Sequence, residues 1–241
     1  MKTYYNIILI IIFPLLMVQC EFLEEFEKGN GEIVTDRRSV TDFDELRIGG
    51  NFEVILEESN TEYVQINTDE NLLKFIDTEV EGGVLKITQQ KKLISKKKIR
   101  LIVHYTELEK IRTMGAALIK NEDYLIAEDL EIGMEGAGVI DLKINCVKLK
   151  VELSGAGVIS LAGEVQEQEL NLMGAGKMEA FDLESKGCDI SVGGLGTAEI
   201  YVTEKLDATI EGVGSIKYDG MPKDLNTEIK GLGRIKPVNR Y

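Results

Sequence analysis

Along the second half of the chain, apolar and polar residues alternate with a period of two, and the alternation restarts about every nineteen residues around a Gly-x-Gly triplet. With the first glycine of each triplet as origin, the positions two and four before it read Met134 and Ile132, Leu153 and Val151, Leu172 and Leu170, Val192 and Ile190, Ile210 and Ala208, Ile229 and Thr227. The positions four and six after it read Ile140 and Leu142, Ile159 and Leu161, Met178 and Ala180, Ala198 and Ile200, Ile216 and Tyr218, Ile235 and Pro237. Polar residues lie between: Glu131, Lys150, Glu169, Asp189, Asp207 and Asn226 five before the glycine, and Asp141, Ser160, Glu179, Glu199, Lys217 and Lys236 five after it. A period of two marks strands with one buried face. Each copy therefore predicts a strand, a glycine corner, a second strand and a looser return.

The triplets are Gly136-Ala-Gly138, Gly155-Ala-Gly157, Gly174-Ala-Gly176, Gly194-Leu-Gly196, Gly212-Val-Gly214 and Gly231-Leu-Gly233, separated by steps of 19, 19, 20, 18 and 19 residues. An imperfect copy, Gly115-Ala116-Ala117, precedes them. So regular a period defines a repeat protein. Glycine at each corner is expected for positive φ or for close approach of backbones, and the apolar residue inside each triplet is expected to face the core.

Two architectures fit this pattern. In an antiparallel meander the triplets are hairpin tips; in a parallel solenoid they form one stacked edge. The second bend of each copy shares no signature between Lys143–Val147, Glu164–Gln166, Leu183–Gly187, Thr203–Lys205 and Gly220–Asp224. A meander needs sharp turns at both ends, so the pattern favours an all-β, parallel β-helix of about 19-residue rungs, stacked about 4.8 Å apart around one core. A left-handed hexapeptide helix needs a rigid 18-residue turn, which steps of 18 to 21 residues do not give.

The N-terminal third carries the pattern in degraded form. Gly50 has Leu46 and Ile48 before it and Val54 and Leu56 after it, in the register of the later copies. Strands are predicted at Val64–Asn67, Val84–Thr88 and Ile99–Tyr105, with a short turn at Asn71–Phe75. Atypical end copies are expected, because a solenoid must cap its open edges.

The first residues change the picture of where the protein works. Lys2 is followed by an apolar run from Ile7 to Val18, too short to span a bilayer, that ends at Cys20. Residues 1–19 read as a signal peptide and Cys20 as a bacterial lipidation site, despite Gln19 where a small residue is usual. Residues 20–36, with Glu21, Glu24, Glu25 and Glu27, read as an acidic tether of the kind that marks surface-exported lipoproteins. Residues 37–112 form the degenerate β portion and 113–241 the regular repeats. The expected address is the outer membrane, with surface exposure.

The formal charge is −14, which disfavours nucleic acid as a partner. One local exception stands out: Lys91, Lys92, Lys96, Lys97, Lys98 and Arg100 form a basic run. It reads as a solvated loop or blunted edge, or as a patch that meets acidic envelope polymers or another acidic copy of the chain. Cys146 and Cys188 read as small buried residues about two rungs apart, beyond disulfide reach.

Reactive chemistry is sparse. The single histidine, His104, falls opposite the Leu101, Val103 and Tyr105 face and is expected to be exposed. One histidine and two distant cysteines assemble neither a metal site nor a Ser-His-Asp triad. The triplets precede strands where a phosphate cradle needs a helix. They also lack the aspartate of calcium-binding nonapeptides. The enzyme alternative rests on Glu179 and Glu199, equivalent outward positions on adjacent rungs with Asp141 in the same row, where paired carboxylates could act on a polysaccharide.

With these copies aligned, residues 37 to 236 resemble the auto-transporter adhesin family with a head GIN domain, common in Bacteroidetes envelope proteins. The resemblance rests on Asp42-Phe43-Asp-Glu-Leu46 leading to Gly50-Asn-Phe52-Glu-Val54, on Leu72-Leu73 followed by Thr78-Glu-Val80, on Gly83-Val-Leu85-Lys-Ile87, on Tyr218-Asp-Gly220-Met-Pro222 and on the serial triplets. It implies a right-handed β-helix, an adhesive or binding role, no catalytic residues and no cofactor. The expected function is non-catalytic binding of an extended glycan, matrix or protein ligand by a lipid-anchored module. A structural or regulatory envelope component is the other non-enzymatic alternative.

Overall fold

A computed structural model describes residues 25–239. The signal-like segment and Cys20 lie outside the described residues. The chain forms a β-solenoid of about seven turns with rungs about 19 residues apart. Every neighbouring pair of copies in the regular region runs parallel, so the triplets are a stacked edge and not hairpin tips.

Strands Val139–Leu153, Val158–Leu172, Lys177–Val192 and Thr197–Ile210 each run from one triplet to the next without interruption. The second bend is thus a curve within a continuous strand. In these four copies that explains the missing signature, because the chain stays paired as a strand through the bend; the last bend, 220–224, does interrupt the strand, between Ser215–Asp219 and Asp224–Ile229. Differences in rung length are absorbed in the same stretch. The ladder slips between Ser160 and Ala162 on one side, and around Ala180–Glu184 and Ser185–Gly187 on the next. The residues flanking each glycine corner consequently stay in register whether the step is 18 or 20.

The predicted inward columns are the core, except in the last copy, where Thr227, Ile229 and Pro237 are exposed. Ile132, Met134, Val151, Leu170, Ile190, Val192 and Ile210 are 0% exposed, as are Ile140, Ile159, Met178, Ile200 and Ile216 on the other side of the corner. One apolar cluster runs from Phe43 to Tyr218. Cys146 and Cys188 are free and buried within it, and burial pushes the Cys146 thiol up to about 11.

The glycines serve close approach and not unusual dihedral angles. No triplet glycine has positive φ. A Cβ at Gly136 would lie 1.9 Å from the carbonyl oxygen of Gly115, and one at Gly155 would lie 1.9 Å from that of Gly136. Each corner therefore nests onto the backbone of the corner below it, which no larger residue permits. The residue inside the triplet points outward, contrary to expectation: Leu195 is 66% exposed, Val213 52% and Leu232 79%. Two strands converging on a tight corner leave room inside only for the flanking columns, so the apex is turned to solvent.

The Gly50 copy belongs to the stack, as its register predicts. Strand Glu45–Gly49 pairs in parallel with Lys110–Thr113, and Glu53–Glu58 with Leu118–Asn121, placing Gly50 against Gly115. Its other neighbours come from later in the chain: Val84–Gln89 and Arg100–Tyr105 stack on its far side. The rungs are thus out of sequence order at this end. Beyond them the direction reverses. Ile33–Ser39 pairs antiparallel with Tyr63–Asp69, which pairs antiparallel with Arg100–Tyr105, while Ile76–Glu81 returns along Val84–Gln89. The expected turn near residue 71 is a short 3-10 helix, Glu70–Phe75. These antiparallel elements cap one end of the core, whereas at the other end Asp224–Ile229 is exposed along its length.

Candidate functional site

In-register stacking turns each outward position into a row along the solenoid. The row five residues before the glycine pairs Lys110 with Glu131, Glu131 with Lys150, and Lys150 with Glu169. A second row, just across the curve of the strand, places Asp129 beside Lys148 and Lys148 beside Glu167. Together they wall a groove of about 590 Å³, floored by Leu130, Leu149 and Gln168. Charge alternates along both walls, so neighbouring rungs attract. Lys110 Nζ lies 2.8 Å from Glu131, and Arg112 also pairs with Glu131. Burial pushes the Glu131 carboxyl up, but the hydrogen bond from Lys110 and the charges of Arg112 and Lys150 outweigh it and hold the group below the usual carboxylate range.

Gln168 interrupts the apolar floor. Its Nε2 donates to the Ser185 hydroxyl at 2.8 Å, and that hydroxyl donates to the Tyr201 carbonyl at 2.8 Å. Its buried Oε1 has no hydrogen-bond partner among the described residues. Leu130, Leu149 and Gln168 are nearly fully buried beneath the groove, so the surface it offers is made by the charged rows along its walls.

The carboxylate row considered for catalysis is assembled as predicted, with Asp141, Ser160, Glu179, Glu199, Lys217 and Lys236 in a single stack. Its electrostatics oppose acid catalysis. Lys177 donates to Glu179 at 2.6 Å and Ser160 donates to it at 2.9 Å; Lys217 donates to Glu199 at 2.8 Å. These hydrogen bonds hold both carboxyls below their ordinary range. Two carboxylates stabilised as anions lack the separation of proton affinities that general acid and base roles require. Among the described residues no three His, Cys, Asp or Glu side chains converge on a common point.

The six basic residues divide. Arg100 is 2.9 Å from Glu53, and Lys91 is 3.2 Å from Glu25 and lies over the Phe75 ring. Lys96, Lys97 and Lys98 are exposed and border a smaller hollow of about 310 Å³ beside Phe52 and Ala116. His104 is not exposed as expected: its side chain is only 12% accessible, stacked 3.9 Å from Tyr63, whose other side meets Arg37. Burial, the larger influence, lowers its proton affinity against the opposing pull of Glu57. The antiparallel cap covers it, and nothing local in the sequence signals that cover. The alternating walls of the groove went unrecognised too, although Glu131, Lys150 and Glu169 recur at one offset with alternating sign.

A parallel β-solenoid with nested glycine corners, long charged rows and anionic carboxylates defines a scaffold built for contact along its length. Residues 42–222 match the family described as "Putative auto-transporter adhesin, head GIN domain", and the chain belongs to that family. A solved "putative adhesin" from Bacteroides fragilis is 28% identical, with a TM-score of 0.84 over 88% of this chain and 100% of that one. A "putative lipid binding protein" from Parabacteroides distasonis is 25% identical, with a TM-score of 0.71 over 89% of this chain and 100% of its own. A "putative adhesin" from the same species, 22% identical with a TM-score of 0.73, shares the fold. No curated protein matches the sequence. The family and these neighbours are described as adhesins or as a lipid binding protein.

Proposed function

We propose that this protein is a non-catalytic adhesin module of the cell envelope, held to the outer membrane by acyl chains on Cys20, that binds an extended ligand along the groove between Lys110 and Glu169. The observation that carries this reading is the groove itself. Its walls repeat the same offset on successive rungs, with charge alternating from Lys110 to Glu131, Lys150 and Glu169. A polymer whose charged groups recur over two strand spacings, roughly 9.6 Å, meets groups of like sign on every second rung. A stiff scaffold also loses little entropy on binding. Glycan or extended polypeptide suits such walls; nucleic acid does not suit a chain of charge −14. The description of one relative as a lipid binding protein accords with work at a membrane.

Screening the soluble protein against glycans, matrix proteins and envelope polysaccharides tests the proposal. A captured ligand is expected to lose at least about tenfold in affinity when Lys148 and Lys150 are both changed to Glu, as expected from charge reversal at a contact. Because this double change sets like charges beside Asp129, Glu131, Glu167 and Glu169, circular dichroism of the variant checks that the fold is kept, and the milder change of both lysines to Gln should weaken binding in the same direction. A ligand bound equally well by the variant contradicts placement in the groove.

A further inference from the structure

The capped end of the solenoid carries a surface that the groove does not use. Strand Phe26–Lys28 pairs in parallel with Lys92–Ile94, setting Phe26 beside Lys92 and Lys28 beside Ile94. Alternate residues of a strand point to opposite sides, so these four side chains share one face, and Glu27 and Leu93 the other. Leu93 packs against the core, which turns the four-residue face to solvent. Phe26 is 54% exposed and Ile94 43%. Lys96, Lys97 and Lys98, all exposed, follow at once.

This ribbon is fixed to the molecule. The Lys92 amide donates to the Glu25 carbonyl at 3.3 Å, and the Gly29 amide donates to the Ile94 carbonyl at 2.9 Å. The buried Asp69 carboxylate accepts the Gly31 amide at 2.6 Å and the Ser95 hydroxyl, tying both strands of the ribbon to one group.

An aromatic and an aliphatic side chain set among lysines is the chemistry of a bilayer interface. Apolar groups enter the boundary between headgroups and acyl chains while ammonium groups meet phosphate. The sign matters, because the chain as a whole carries −14. Of the acidic residues on the ribbon, Glu25 is already paired with Lys91. Position agrees with composition. Glu25 lies five positions after Cys20, a reach of at most about 18 Å. Acyl chains on Cys20 would therefore hold this end of the solenoid, and no other, against the lipid.

We infer that the face formed by Phe26, Lys28, Lys92 and Ile94, continued by Lys96–Lys98, is a membrane-contact surface for anionic, phosphate-bearing headgroups. It acts as a second attachment beside the lipid. A flexible acylated tether alone leaves the solenoid free to tumble, whereas this contact seats the cap on the bilayer and directs the open, C-terminal rungs away from it. The lipid-anchor reading supplies the setting for this inference but not its physical basis, and the two are tested separately.

The test uses the chain from Glu21 onward, produced without lipid; its core is intact because every core residue lies between Phe43 and Tyr218. Sedimentation with vesicles containing phosphatidylglycerol is expected to carry the protein down at low salt, and vesicles of phosphatidylcholine alone are not. Changing Lys92, Lys96, Lys97 and Lys98 to Glu should lower the partition coefficient by at least about tenfold, given the contribution of each lysine near an anionic surface. Phe26→Ser with Ile94→Ser should lower it severalfold, with unchanged circular dichroism in both variants. Failure of the wild-type chain to bind anionic vesicles, equal binding by the lysine variant, or equally tight binding to a free acidic polysaccharide would overturn the inference. The mass of the N-terminal peptide from envelope-extracted protein reports acylation of Cys20 independently.

Discussion

Gly155→Ala is expected to destabilise the protein by about 3 kcal/mol, an overpacking penalty at the upper end of its usual range, although the change adds one methyl group at a solvated corner. The added Cβ would stand 1.9 Å from the Gly136 carbonyl oxygen, and 3.0 Å from the Glu135 carbonyl carbon. Those contacts are backbone, not the ends of flexible side chains, so relief requires the two rungs to separate. Separation strains the hydrogen bond from the Ala156 amide to the Gly136 carbonyl, 3.0 Å long, and those beside it. Ala156→Ser, one residue along, adds a hydroxyl at the exposed apex and should change stability by no more than about 0.5 kcal/mol. Urea unfolding followed by circular dichroism checks both. Equal stability of the two variants would show that the corners are not nested.

A comparable loss is expected from Ile210→Ala, and the comparison with Ile229→Ala isolates its cause. The two isoleucines are register partners on one inward column. Ile210 is covered by the rung above it and is 0% exposed, while Ile229, on the last rung, is 48% exposed. Removing the buried side chain forfeits transfer energy and leaves a cavity, together about 3 kcal/mol. Removing the half-exposed one should cost less than about 1.5 kcal/mol, since water already reaches the site. Urea midpoints of the two variants measure the difference. If Ile229→Ala were as damaging, the C-terminal rung would be covered by something beyond the described residues.

Much of this was legible in the sequence because the repeat is local. Alternation around each triplet identified the inward columns, and the lack of a second turn signature separated solenoid from meander. The register of Gly50 with Leu46 and Val54 placed a rung that stacks in space against residues more than sixty positions later. What escaped has a common physical reason. The antiparallel cap is built from pairings such as Ile33 with Asp69, and the insertion of Glu45–Glu58 between later strands is likewise non-local. Neither leaves a periodic trace. The outward apex of the triplet and the true role of its glycines depend on how two rungs nest, which one rung cannot reveal. The groove was visible only as a charge alternation across copies, and the ribbon at Phe26 only once its partner strand was known.

The central claim, that successive copies wind in parallel and in register, is tested most directly by a cross-link between triplet apices. In a solenoid, residues 156 and 175 lie on adjacent strands about 4.8 Å apart, within the Cα separation that a disulfide spans. In a meander, neighbouring tips are two strands apart, roughly 9.6 Å by the same spacing, and out of reach. Buried Cys146 and Cys188, with raised thiol proton affinities, should stay inert in the background. Mild oxidation of the Ala156→Cys, Ala175→Cys double variant, read by peptide mass mapping, is predicted to join the two positions nearly quantitatively. Two free thiols after oxidation, with the fold retained, would contradict the account.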